Sequence, residues 1–202
     1  MPLTKSLLCL VLLSCAAGAT LGAEPIDMRK LSESEVALAD TSQRGARGKS
    51  FVAATIIKAP VQQLCQLIQD YEAYPAFMPN THATKVSQTG SGFSLIDVTL
   101  KLPMGKIKKY RLRMEPKVSA DVCVVAWKLA PWPGLTPDET IAATSGSWHF
   151  SPGADPARTV VKYTVHTDPG PIPFGAGWIV DSLSKDSIPQ TLQALRKRAS
   201  TR

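Results

Sequence analysis

The amino-acid sequence predicts an α+β domain in which a run of antiparallel strands is followed by one long helix. Three observations lead to this prediction. Short β-rich segments separated by turn signals fill residues 82–167, and consecutive short strands of this kind favour an antiparallel meander. One strand and two short helical segments precede this run. An amphipathic helix of about 25 residues follows it near the C-terminus.

Residues 1–23 have the layout of a secretory signal peptide. Lys5 precedes a short apolar run at residues 7–13, and small residues follow it up to Ala23. The run is too short to span a bilayer as a helix. Residues 17–19 fit an A-x-A cleavage site, and residues 21–23 form a second, poorer one. In the alternative, residues 12–15 form a lipoprotein box and Cys15 is lipidated. We therefore expect an exported, periplasmic protein, either free or anchored through Cys15.

The charge and the cysteines narrow the expected partners. The formal net charge is +7, which in a cytoplasmic protein would suggest nucleic acid. In an exported protein it suggests anionic lipid surfaces or acidic polymers instead, so no nucleic acid is expected. Beyond the signal peptide only Cys65 and Cys123 remain. Export permits a disulfide between them but their spacing does not require one. No Cys/His spacing indicates zinc, and we expect no metal and no cofactor.

The first half of the mature chain predicts an arm, a strand and two short helices. Residues 24–48 are polar, with a short strand near 36–39, and residues 49–58 form the first confident strand. Pro60 then suits the first turn of a helix. Apolar residues at helical spacing continue this helix to Ile68. A second helical piece over residues 71–78 is expected to break at Pro75.

The second half predicts six strands and a kinked helix over residues 175–199. The strands are placed at residues 82–88, 92–102, 106–116, 122–130, 140–151 and 159–167. Alternation gives these strands one apolar face and one polar face. The last helix carries an apolar stripe that has to be buried. The apolar face of the sheet is the surface that can bury it. The stripe is formed by Ile179, Leu183, Ile188, Leu192, Leu195 and Ala199.

Several short sequence motifs lie before, between and within these elements. They are Lys58-Ala59-Pro60, Asp70-Tyr71-Glu72-Ala73-Tyr74-Pro75-Ala76-Phe77-Met78-Pro79, Gly146-Ser147-Trp148, Asp168-Pro169-Gly170, Ile188-Pro189-Gln190-Thr191-Leu192 and Leu195-Arg196-Lys197-Arg198-Ala199. Over residues 50–199 they resemble the START-like superfamily, also called SRPBCC or helix-grip, and in particular its polyketide cyclase and coenzyme-Q-binding branch. The resemblance implies a curved antiparallel sheet wrapped around a long C-terminal helix, with two short helices after the first main strand. The expected organisation is a signal peptide (1–23), an arm (24–48) and a START-like ligand-binding domain (49–202).

The resemblance also implies an apolar cavity between sheet and helix that holds a lipid or an isoprenoid quinone. Candidate wall residues are those on the apolar strand faces, on the last helix and at the end of the short helices. A plain filled core is the alternative for each of them. The candidates are Phe77, Met78, Tyr110, Leu112, Met114, Val125, Trp127, Trp148, Phe150, Tyr163, Trp178, Ile179 and Leu183. Tyrosine hydroxyls on an otherwise apolar face need partners.

The residues do not predict catalysis. His149 and His166 lie on polar strand faces, and His82 has no evident partner. No carboxylate falls on a predicted inward face, and no nucleophile elbow or phosphate loop is present. We therefore expect a binding protein and no catalytic residues. The alternative is a cyclase that acts by shaping a reactive chain in the same cavity.

Six basic residues concentrate around one predicted hairpin. They are Lys101, Lys106, Lys108, Lys109, Arg111 and Arg113. If they lie near the cavity mouth, we expect them to make transient contact with an anionic membrane surface. The alternative is a solvated outer face of the sheet.

Overall fold

An open, eight-stranded antiparallel sheet forms the body of the protein. The computed structural model describes residues 26–171 and 177–201, with the backbone alone for Met104 and residues 177–184. The predicted signal peptide and Cys15 lie outside the described residues. The strands are β1 (Ala37–Asp40), β2 (Lys49–Ile57), β3 (Thr81–Gly90), β4 (Phe93–Lys101), β5 (Ile107–Val118), β6 (Cys123–Ala130), β7 (Ala143–Pro152) and β8 (Thr159–Asp168). Their spatial order is β1-β2-β8-β7-β6-β5-β4-β3.

Two α-helices complete the fold. Helix α1 (Val61–Gln69) begins directly after Pro60, and its predicted apolar stripe is buried. Helix α2 (Gly177–Ser200) closes the chain and contains Pro189. A 3-10 helix (Tyr71–Ala76) follows α1. It includes Pro75, so the predicted break at that proline is wrong and the helical segment ends one residue later.

The core lies between the inner face of the sheet and the two helices. Leu64 and Ile68 of α1 and Leu192 and Leu195 of α2 are fully buried, and they share one cluster with residues of β4–β8. The alternation predicted for β5 is confirmed: Leu112 and Met114 are buried and the side chains between them are more exposed. The architecture confirms the predicted α+β helix-grip fold.

The N-terminal arm packs against the rest of the domain. Its strand β1 pairs with β2 in antiparallel register, with Ala37 opposite Ala54. Ile26 covers a small second cluster with Val52 and Ala54. The arm therefore adds an edge strand to the sheet.

The edge strand at the other side, β3, is irregular. Its register against β4 shifts between Thr81 and Ala83 and again between Val86 and Gln88. Most of its side chains are polar and exposed, Lys85 among them. This edge is therefore twisted and hydrophilic.

A disulfide joins the first helix to the sheet. Cys65 of α1 is bonded to Cys123, the first residue of β6, across a sequence separation of 58 residues. Both side chains are buried. The pairing left open by the sequence is thus present, and it holds α1 over the end of the sheet where β6 begins.

Candidate functional site

A cavity of about 300 Å³ lies between the inner face of the sheet and α2. Residues of β4–β8 form most of its wall, Tyr74 and residues 78–81 border it on one side, and Ser187 and Thr191 border it from α2. We call the end of the cavity where β3 and β5 begin and β4 and β8 end the mouth; its lining residues are Pro79, Asn80, Leu102, Lys108 and Pro169. Such concave, mostly apolar spaces are where proteins bind small molecules.

Seven of the predicted wall residues border this cavity. They are Met78, Tyr110, Leu112, Met114, Trp127, Trp148 and Tyr163. All but Met78 lie on strand faces that the alternation of apolar and polar residues predicts from the sequence. That they bind a ligand remains a proposal.

Three other predicted wall residues do not line the cavity. Val125 and Phe150 are fully buried in the filled part of the core. Phe150 lies opposite Cys123, at the end of the sheet that α1 covers through the disulfide. Phe77 packs edge-on against Tyr74 and beneath the Arg198 guanidinium. The side chains of the remaining three, Trp178, Ile179 and Leu183, lie outside the described residues.

Other lining residues were missed by the sequence analysis. Ile96, Val98 and Leu100 of β4 face the cavity. Their alternation with Asp97, Thr99 and Lys101 is a readable signal. Ser187 and Thr191 are one helical turn apart on α2, beside its apolar stripe.

Aromatic rings form one wall of the cavity. The Tyr163 ring lies between two indoles, stacked 5.4 Å from Trp127 and tilted 4.4 Å from Trp148, measured between ring centroids. Trp127 lies opposite Gly146 on β7. A Cβ atom at position 146 would overlap with the Trp127 indole and the Thr164 carbonyl oxygen. The glycine therefore makes room for the Trp127 ring.

Tyrosine hydroxyls are the main polar groups deep in the cavity. Burial raises the pKa of Tyr110, and burial together with nearby Tyr110 raises that of Tyr163. Both phenols are thus protonated donors at neutral pH. Within the described part of the chain neither hydroxyl forms a hydrogen bond. Tyr74 differs, because its hydroxyl donates to the Ile68 carbonyl at 2.5 Å.

Lys108 is a cation on the cavity wall. It shares the inward face of β5 with Tyr110, Leu112 and Met114. Its Nζ donates to the Thr140 carbonyl oxygen at 2.7 Å. Burial lowers its pKa, and the charge of Asp138 offsets this in part.

The six basic residues predicted as one patch divide into three groups. Lys108 lines the cavity. Arg111 forms a two-point ion pair with Asp97, and Arg113 pairs with Glu115. Lys101, Lys106 and Lys109 are exposed beside the mouth, together with Ile107, which is 42% exposed.

The described residues contain no group of three or more His, Cys, Asp or Glu side chains placed to hold a metal ion. None of the helices in residues 26–171 and 177–201 is long and apolar enough to cross a membrane. On the polar side of β8, His166 Nδ1 and Ser50 Oγ are hydrogen-bonded at 3.0 Å, away from the cavity.

Comparisons with known proteins agree with this architecture. The family described as "Polyketide cyclase / dehydrase and lipid transport" matches residues 57–196. No curated protein matches the sequence. Similar solved structures include a STAR-related lipid transfer protein from Xanthomonas axonopodis, with 19% identity, a TM-score of 0.70, and coverage of 82% of this chain and 93% of that one.

Two further solved structures are similar to this chain. Human STARD10 has 14% identity and a TM-score of 0.69, with 82% of this chain and 69% of that one covered. The Zhui aromatase/cyclase from Streptomyces sp. R1128 has 14% identity and a TM-score of 0.60, with 82% and 94% covered. At these identities the likeness shows the fold, whereas the family match spans more than half of the chain. The chain therefore belongs to the polyketide cyclase / dehydrase and lipid transport family, within the START-like superfamily.

Proposed function

We propose that this protein is an exported, periplasmic carrier that holds a lipid or an isoprenoid quinone in the cavity between the sheet and α2. The observation that carries the proposal is the cavity itself. Its volume of about 300 Å³ lies at the lower end of the range for ligand pockets. Its wall is aromatic and aliphatic, and it includes the phenols of Tyr110 and Tyr163, which form no hydrogen bond among the described residues.

Two features support export. The first is the signal-peptide layout of residues 1–23. The second is the buried Cys65–Cys123 disulfide, since disulfides persist mainly in oxidising compartments such as the periplasm. Export also favours lipid surfaces over nucleic acid as the partner of the basic charge.

Protein purified from its own host should carry an extractable apolar molecule. Native mass spectrometry should show an added mass, and organic extraction should identify it as a lipid or a quinone. The same spectrum gives the mass of the polypeptide, which should correspond to a chain lacking about the first 20 residues. A full-length polypeptide would contradict export.

Filling the cavity with a larger side chain should prevent binding of the apolar molecule. Leu100 borders the cavity and is only half-buried, so Leu100→Trp places an indole in that space. Overpacking of about 1–3 kcal/mol corresponds to a loss of affinity of roughly ten- to a hundredfold. Val118→Trp is the matched control, because Val118 is 59% exposed on the same sheet. Equal cargo in both variants would contradict binding in this cavity.

The exposed lysines beside the mouth are the part of the surface that we propose meets the membrane. Lys101, Lys106 and Lys109 flank lining residues Leu100, Leu102 and Lys108. Exposed Ile107 adds an apolar side chain to the same place. A lysine near an anionic lipid surface contributes roughly 1 kcal/mol. Binding of this surface to the membrane would place the mouth of the cavity next to the lipid.

Reversing these three charges should abolish binding to anionic vesicles. The triple variant Lys101→Glu, Lys106→Glu, Lys109→Glu is compared by co-sedimentation with phosphatidylcholine vesicles that contain or lack phosphatidylglycerol. The control reverses Lys58, Lys117 and Lys197, which are exposed elsewhere and give the same net charge. Binding of the unaltered protein should also weaken as salt rises. An equal loss in both triple variants would mean that net charge, and not this surface, governs binding.

A cyclase that acts in the same cavity is the second candidate function. The observation in its favour is the pair of buried phenols, Tyr110 and Tyr163, which carry protons and lack hydrogen-bond partners among the described residues. A supplied polyketide chain that is converted by protein free of cargo would establish this function and displace the carrier proposal.

A further inference from the structure

The polar groups of the cavity indicate what kind of molecule it holds. This inference rests on the proposed carrier function. Groups with hydrogens left to donate border the cavity at two depths: the phenols of Tyr110 and Tyr163 inside, and the ammonium of Lys108 near the mouth. No carboxylate is among the lining residues that the structure describes. A bound molecule therefore meets donors and a positive charge.

Lys108 is positioned for a ligand by its strand. It precedes Tyr110 by two residues, so both side chains are on the inner face of β5. An ammonium has three hydrogens to donate, and the Thr140 carbonyl accepts one of them. Two donors remain for another acceptor.

The charge of Lys108 is only partly balanced among the described residues, by the nearby charge of Asp138. Its neighbours on the outer face, Arg111 and Arg113, each have a carboxylate partner. Lys108 forms no such ion pair within the described part of the chain, although it is half-buried. Moving a cation out of water is costly unless a counter-charge is near. A ligand with an anionic group at this place would supply that counter-charge.

We propose that the ligand is an amphiphile with one anionic head group, a carboxylate or a phosphate, that binds to Lys108 at the mouth of the cavity. Its apolar body lies against the indoles of Trp127 and Trp148. This narrows the cargo from apolar molecules in general to lipids with an acidic end.

Three ligands with the same chain and different heads test this. Dodecanoate and dodecyl phosphate are titrated below their critical micelle concentrations, and 1-dodecanol is titrated below its solubility limit. The readout is intrinsic tryptophan fluorescence, because Trp127 and Trp148 border the cavity. The unaltered protein should bind at least one anionic ligand about ten- to a hundredfold more tightly than 1-dodecanol, the range for a hydrogen bond to a charged group. Preference between the two anions separates a fatty-acid-like ligand from a phospholipid-like one.

Lys108→Met should lower the affinity for the anionic ligands to about that for 1-dodecanol, since methionine retains most of the aliphatic stem but lacks the ammonium. Lys109→Met is the matched control: it removes the same charge from the next residue, which is exposed on the opposite face. It should keep the preference for the anionic ligands.

Two results would overturn the inference: equal binding of the three ligands by the unaltered protein, or an undiminished preference in Lys108→Met. If none of the three ligands binds to the unaltered protein, the carrier function itself fails, and the inference fails with it.

Discussion

Reduction of the Cys65–Cys123 disulfide should lower the free energy of unfolding by about 2–4 kcal/mol. The bridge closes a loop across a sequence separation of 58 residues and thereby restricts the unfolded chain. It also fastens α1 to the start of β6, where Val125 and Phe150 pack without leaving a cavity. For a domain of this size the midpoint of thermal unfolding should fall by roughly 5–15 °C.

Urea unfolding with and without reductant measures this effect. The double variant Cys65→Ala, Cys123→Ala is the control, because it lacks the bridge under both conditions. Its stability should be insensitive to reductant, whereas that of the unaltered protein should fall. If reductant leaves the unaltered protein as stable as before, the disulfide does not contribute to stability in solution.

Gly146→Ala should destabilise the protein by about 1–3 kcal/mol and displace the Trp127 ring from the cavity wall. Elsewhere in a strand, replacing glycine by alanine favours folding, because glycine loses more conformational freedom. Here the added methyl overlaps with the Trp127 indole and the Thr164 carbonyl oxygen. The carbonyl belongs to the neighbouring strand β8 and cannot yield without distorting the ladder.

The loss should appear both in urea unfolding and in the affinity of the cavity for its ligand. Ser145→Ala, at the preceding exposed position of β7, should change stability by less than about 0.5 kcal/mol. A Gly146→Ala protein as stable as the unaltered one, with unchanged ligand affinity, would show that the Trp127 ring does not depend on this glycine.

The side of each strand that faces the cavity could be predicted from the sequence. Alternation placed Tyr110, Leu112 and Met114 together, and they do line the cavity. The alternation of apolar and polar residues does not show which part of a strand is covered by a helix. Val125 and Phe150 are on the inner face as predicted, but α1 lies over that end of the sheet. Its position depends on tertiary packing, which the residues of β6 and β7 do not encode.

Lys108 shows a different kind of error. It was grouped with five other basic residues by charge, although its even position places it with Tyr110 on the inner face. Its long aliphatic stem lets a lysine line an apolar wall while its ammonium reaches a polar partner. For the cysteines, neither spacing nor periodicity brings a helix residue next to a strand 58 residues later. Their pairing required the tertiary structure.

The irregular strand β3 has a consequence for how molecules of this protein meet one another. An open sheet presents unpaired amides and carbonyls at its edges, and these can template the pairing of a second chain. In β3 the two register shifts and the exposed Lys85 interrupt such a template. We therefore expect the folded protein to resist edge-to-edge aggregation at high concentration, so that it can be abundant in its compartment without polymerising.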